Sequence, residues 1–170
     1  MDKVFLIGLP SSGKTTLGKK VADAQNLTFI DMDDEIERLD NRTISEIFAT
    51  EGENYFRQKE GDVLKSLLNK KGKFLISTGG GTPCFFDNMK KIKEGGYSIY
   101  LKVSPKELSR RLSNKGLSDR PLLSDVQDVE REISAKLAKR SSYYEQADTT
   151  LEGDHIQLND LLNAIKYAVR

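Results

Sequence analysis

Residues 8–15 read Gly8-Leu9-Pro10-Ser11-Ser12-Gly13-Lys14-Thr15, the spacing G-x-x-x-x-G-K-[ST] without a gap, and nothing else in the chain narrows its possible folds as far. Val4 to Ile7 is a continuous apolar run, the pattern of a strand buried on both faces. After Lys14 the period changes, with Leu17 and Val21 four apart on one helical face and Asn26 as a stop signal. Strand, glycine-rich loop and helix in that order form a nest of backbone N–H groups at a helix N-terminus, where a polyphosphate binds. Glycine removes the Cβ atoms that would block the approach. Lys14 supplies a cation for the β and γ phosphates, and the Thr15 hydroxyl suits Mg²⁺, a cation that prefers oxygen. Ser11, Ser12, Gly13 and Thr16 complete the expected contacts, so ATP or GTP is the expected ligand.

The remaining periodicity repeats the strand–helix alternation. Leu27 to Asp31, Phe74 to Thr78, Tyr97 to Val103 and Asp148 to Leu151 read as further strands. Helices are expected from DDEIERL, from the capping box Thr43…Glu46, and beyond Gly52 through Phe56, Val63, Leu64, Leu67 and Leu68. More are expected from Ser104-Pro105-x-Glu107, from Val126, Val129, Ile133 and Leu137, and from Leu158 to Ile165. Strands alternating with helices predict an α/β fold: a parallel five-stranded sheet with helices on both faces, in three layers. Residues 113–125, SNKGLSDRPLLSD, hold the residues of a loop and are expected to form a mobile lid. At 170 residues, with no repeat and no dividing linker, the chain is expected to be one domain.

Composition excludes several kinds of protein. The 27 Lys and Arg against 26 Asp and Glu leave a net charge of +1, too small a field to gather nucleic acid or an anionic membrane. No apolar run is long enough to span a bilayer. A single cysteine, Cys84, and an N-terminus without signal-peptide features predict a cytoplasmic location. The only histidine, His155, lies in the polar stretch EGDHIQ and is expected to be solvated. The chemistry is left to carboxylates, Lys, Arg, hydroxyls and metal.

In many phosphate-loop folds a neighbouring strand ends in a metal-holding Asp, but the third strand here ends in Ser77 and Thr78. Asp31, at the end of the second strand, is the candidate to take that place. If strand geometry persists, Asp33 points the same way two residues on, and can accept a proton from an acceptor alcohol. Taken alone, DMDDE also reads as acidic residues favoured at a helix start. Gly79, Gly80 and Gly81 after a buried strand point to a ligand lying close to the backbone.

From Val4 to Asp148 the chain is similar to the shikimate kinases. The resemblance rests on GLPSSGKTT, FIDMD, IFATEGENYFR, STGGG, RPLL and AKRSSYYEQAD in that order. It implies a P-loop kinase fold and transfer of the γ-phosphate of ATP to the 3-hydroxyl of shikimate, with Mg²⁺ as cofactor. By the same resemblance Asp31 supports Mg²⁺ with Thr15, and Asp33 binds the substrate hydroxyls and acts as base. Arg57 and Arg140 clamp the shikimate carboxylate beside Gly79, Gly80 and Gly81, in a substrate region of helices spanning about 33–61. Arg120 closes on the phosphates from the lid, with Lys14 and Asp33 as the other catalytic groups, and Arg111 stacks on adenine. A planar guanidinium fork matches a carboxylate in a way an ammonium does not. Thr82-Pro83-Cys84 matches no part of the pattern. A monomer with ATP and shikimate as its partners is expected. The rival readings are a phosphate-loop kinase for gluconate or a nucleoside monophosphate, and a nucleotide-gated binding protein without acceptor-dependent turnover.

Overall fold

The structure, a computed structural model, describes residues 2–114 and 126–168. Five parallel strands stand in the order β2-β3-β1-β4-β5: β1 (Lys3–Ile7), β2 (Thr28–Asp31), β3 (Phe74–Ser77), β4 (Tyr97–Lys102) and β5 (Thr149–Glu152). The phosphate-loop strand is therefore central, with Phe5 level with Ile76 on one side and Ser98 on the other. The chain leaves β1 toward β2 at one edge and later returns across it from β3 to β4. Its direction thus reverses beside β1, and ligands bind outside the carboxyl ends of strands at such a switch point.

Strand parity sorts the central residues between two helical layers. Val4, Leu6, Leu75, Ile99 and Leu101 face α1 (Lys14–Gln25) and α7 (Leu158–Ala168), meeting Val21, Ala22, Leu161 and Ile165. Phe5, Phe74 and Ile76 face α2 (Met32–Asp40), α3 (Ile44–Asn69) and α4 (Asn88–Gly95), meeting Met32, Ile36, Ile47, Phe56, Leu64 and Ile92. Ile7 and Tyr100 lie on that second face nearer the site, under α5 (Pro105–Asn114) and α6 (Val126–Tyr144). The expected three-layer α/β architecture is the one found. Among the described residues no helix is long and apolar enough to cross a membrane.

Local signals act where the sequence places them. Asn26 ends α1 in the left-handed region, and Thr43 and Glu46 close a capping box at the start of α3. Gly52 breaks the helical dihedrals inside α3 at φ 81°, dividing it into a short and a long segment. The Ser104 hydroxyl accepts from the Glu107 amide at 3.2 Å, with Pro105 as the first residue of α5. Helix α5 runs two residues into the expected lid: Ser113 and Asn114 are helical, and the Ser113 hydroxyl donates to the Ser109 carbonyl at 3.0 Å. The rest of the lid, residues 115–125 with Arg120, lies outside the described residues. Helix α4 is not foreshadowed by an apolar period, because only Met89 and Ile92 of its hydrophobic positions are buried.

Leu75 is fully buried in the central sheet, under α1 and between β1 and β2. Leu75→Ala is expected to lower unfolding stability by about 2–5 kcal/mol. In urea denaturation the midpoint falls while the slope is unchanged.

Candidate active site

The loop after β1 turns on two glycines that a side chain could not replace. Gly8 sits at φ 143°, with a Cβ there only 2.8 Å from the Leu101 carbonyl, and Gly13 caps α1 at φ 99°. The loop wraps the Lys14 ammonium, which donates to the Gly8 and Leu9 carbonyls at 2.8 Å each. Lys14 is 7 % exposed, and its burial pulls the ammonium down to about pKa 8, with Arg140 adding to the effect and Asp33 and Asp31 opposing it. A phosphate entering the nest would replace neutral carbonyls with charged acceptors for that cation.

Thr15 and Asp31 meet as expected: the Thr15 hydroxyl donates to Asp31 Oδ2 at 2.6 Å, and the Ser77 hydroxyl lies 3.5 Å from it. This oxygen-rich corner at the ends of β2 and β3 fits Mg²⁺, which takes one or two protein oxygens and completes its shell with water and phosphate. The route by which Asp33 joins it differs from the expected one. Strand β2 stops at Asp31, which becomes the N-cap of α2 and accepts from the Asp33 amide at 3.0 Å. Strand parity therefore plays no part; a helix cap holds the two carboxylates together. Asp33 opens to the cleft yet is crowded by protein, and its pKa is pushed up to about 6. Loss of bulk water is the main cause, Asp31 and Glu60 add to it, and Lys14 acts against it.

Arg57 comes from the long segment of α3 and is 7 % exposed. Its Nη1 donates to Glu60 Oε1 at 2.9 Å, its Nε reaches Glu53 at 3.3 Å, and the guanidinium lies 4.3 Å from the centre of the Phe85 ring. Glu60, 1 % exposed, also accepts from the Thr82 hydroxyl at 2.7 Å. The three glycines run between these groups. A Cβ on Gly79 would lie 2.7 Å from Glu60 Oε2 and 3.2 Å from Asp33 Oδ1, and one on Gly80 would lie 3.2 Å from Arg140 Nη1. On Gly81 it would overlap the Arg57 guanidinium. Asp33, Arg57, Arg140 and the glycines thus stand close together beside Lys14.

Arg111 lies at the other end of the loop. Its three donor groups reach Glu107 at 2.9 Å, the Ser11 carbonyl at 3.1 Å and the Asp154 carbonyl at 2.6 Å. With Ser11, Ser12, Gly13, Thr16 and Ile156 it lines a cleft of about 380 Å³ over the N-terminus of α1. His155 is exposed and outside that lining, as expected of a solvated residue. Sequence reasoning missed Glu60, Thr82 and Tyr144, whose hydroxyl donates to the Gly80 carbonyl. The i,i+3 spacing of Arg57 and Glu60 was the available signal for the first. No local pattern announces the other two, whose contacts cross the fold.

A parallel sheet with a phosphate loop at its switch point, opening on a cleft of carboxylates and guanidiniums, defines a P-loop kinase of a small molecule. The family model for shikimate kinase matches residues 10–168. The chain belongs to the shikimate kinase family. A shikimate kinase of Azobacteroides pseudotrichonymphae is 39 % identical over 164 residues, covering 95 % of this chain and 96 % of that protein. The crystal structure of shikimate kinase from Bacteroides thetaiotaomicron superposes with a TM-score of 0.87 at 34 % identity, over 97 % of this chain and 96 % of that one. A shikimate kinase from Acinetobacter baumannii, solved in complex with shikimate, gives 0.83 at 34 % identity, over 98 % and 91 %.

Glu60→Ala leaves the buried Arg57 guanidinium with only the largely exposed Glu53 as a carboxylate partner. We expect a loss of about 3 kcal/mol in unfolding stability, since removing one member of a buried pair strands the other. A chemical denaturation curve measures it, and an unchanged midpoint would show that the pair does not support the site.

Proposed function

We propose that this protein transfers the γ-phosphoryl group of ATP to the 3-hydroxyl of shikimate. The observation that carries the reading is the cleft in which Asp33, Arg57, Arg140 and the triple glycine stand beside the buried Lys14. A hydroxylated carboxylic acid supplies both complements, an anionic end for the guanidiniums and an alcohol for Asp33. Gluconate is an open chain with no ring to set these two ends at one distance, and a nucleoside monophosphate has no carboxylate. Family membership, with a relative solved around shikimate, supports the same choice.

In this reading the loop amides, Ser11, Ser12, Gly13, Thr16 and Arg111 hold the nucleotide, and Lys14 moves from the Gly8 and Leu9 carbonyls onto the β and γ phosphates. Thr15 and Asp31 would hold Mg²⁺, which when bound offsets the negative charge of the triphosphate. Arg57, Arg140 and the backbone of Gly79 to Gly81 seat the acid. Asp33 orients the 3-hydroxyl and takes its proton as the oxygen–phosphorus bond forms and the bond to the β-phosphate oxygen breaks. With a pKa near 6, Asp33 is ionised at neutral pH yet a better proton acceptor than an ordinary carboxylate. A single domain, acting as a monomer in the cytoplasm, belongs to the same proposal.

Release of ADP from ATP·Mg²⁺ with and without shikimate tests it. Turnover is expected only with shikimate; turnover with gluconate or a nucleoside monophosphate instead, or with no acceptor, would overturn the assignment. Asp33→Asn is expected to lower kcat by about 10²–10⁴-fold, the usual worth of a general base, while nucleotide affinity stays near wild type. Wild-type turnover in that variant would remove Asp33 from its role.

A further inference from the structure

Tyr144, the last residue of α6, is the largest fully buried side chain described, yet it carries a polar group that the phosphoryl-transfer scheme does not use. Its ring packs against Tyr100 of β4, with centroids 5.1 Å apart and planes inclined at 41°. Its hydroxyl donates a short hydrogen bond to the Gly80 carbonyl, in the middle of the triple glycine. Arg140 lies one turn earlier on the same helix, near enough for its charge to act on the phenol, and its Nη1 comes within 3.2 Å of the Cβ position of Gly80. One phenol oxygen thus holds the glycine against which one of the two arginines of the acceptor cleft lies.

We propose that Tyr144 is a positioning residue of the acceptor site, whose hydroxyl holds Gly80, and through it the neighbouring Arg140, in the arrangement that receives the acceptor carboxylate. The inference rests on the assignment of an acid such as shikimate as acceptor.

The two arginines stand in different situations. Arg57 is already opposed by Glu60 and Glu53 and lies against the Phe85 ring, so its place and charge are settled before substrate arrives. Among the described residues Arg140 has no ion pair with a carboxylate, which leaves its charge for an incoming anion. An arginine without such a partner keeps its rotamer freedom and must surrender it on binding. Tyr144 restricts that freedom beforehand: the phenol proton goes to the Gly80 carbonyl, and the glycine held in this way is the surface against which the Arg140 guanidinium lies. Burial raises the phenol's pKa, which keeps on the oxygen the proton that it donates to Gly80. The hydrogen bond also fixes the peptide plane of Gly80, whose missing side chain is what lets Arg140 approach to 3.2 Å of the Cβ position.

Tyr144→Phe keeps the ring and its packing and removes only the oxygen. Steady-state kinetics with shikimate and with its methyl ester, which lacks the carboxylate charge, separate positioning from general damage. The expected result is a rise in KM for shikimate of roughly fivefold or more, an unchanged KM for ATP, and a fall by the same factor in the preference for acid over ester. In an Arg140→Ala background the second substitution should add nothing, because the hydroxyl acts through Arg140. A wild-type KM in Tyr144→Phe, equal losses on acid and ester, or additive effects in the double variant would each overturn the proposal. If Tyr144→Phe does not yield folded protein, 3-fluorotyrosine at position 144 retains ring and hydroxyl but alters the hydrogen bond. KM for shikimate should then shift while that for ATP does not, and a shift in neither overturns the proposal. A wild-type enzyme indifferent to shikimate would refute the acceptor assignment and this inference together, whereas an active wild type with an unmoved variant refutes this inference alone.

Discussion

A buried ammonium at the end of the central strand is the constraint around which the structure is arranged. Lys14 can be removed from water only because the loop that precedes it turns two carbonyls inward and because Asp31 and Asp33 stand near enough to offset its charge. The loop can turn in this way only with glycine at positions 8 and 13, and the carboxylates are near only because β2 lies two places from β1 with its end at the same level. Lys14 and Asp33 pull each other's pKa toward the charged state while burial pulls both away. The result is a cation and an anion that stay ionised at neutral pH and remain more responsive than exposed groups.

The acceptor end follows a different electrostatic plan. Arg57 and Glu60 are both buried and neutralise each other, and Thr82 takes the second oxygen of Glu60. Such a pair adds little net stability, since desolvation consumes most of the attraction, but it holds a planar donor in one orientation. Gly81 is required there because any side chain would occupy the guanidinium's volume. Arg140 reaches the cleft from another helix with its charge uncommitted among described carboxylates, and Tyr144 ties that helix to the glycine segment. One arginine is thus fixed by buried partners, while the other has no carboxylate partner among the described residues.

How much of this could be read from the chain differs residue by residue. Gly8 to Thr15 identifies itself, because a nest at a helix start is formed by consecutive residues and needs no distant partner. Asp31 was equally legible, as the acid at the end of the second strand. Asp33 was legible as a participant but not in its geometry: alternation along a strand predicts the shared direction, whereas capping of α2 produces it. The triple glycine signalled close approach without revealing that an arginine side chain is what approaches Gly81 most closely. Glu60 and Thr82 were hidden because their partners are brought together by the packing of α3 against the loop after β3. Helix α4 was hidden because a helix with two inward apolar residues has no period to detect.

The sequence by itself determined the alternation of strands and helices, the phosphate nest and the chemical types available to the site, because each depends on periodicity or on neighbours a few positions apart. The tertiary structure alone decided that β1 lies at the centre, that Arg57 is neutralised while Arg140 has no carboxylate partner among the described residues, and that a phenol 64 residues away holds Gly80. Those properties arise from strand order and from burial, and burial sets both the strength of a charge and the cost of leaving it unpaired. Neither can be summed from local preferences, since each depends on which distant segments exclude water from the same space.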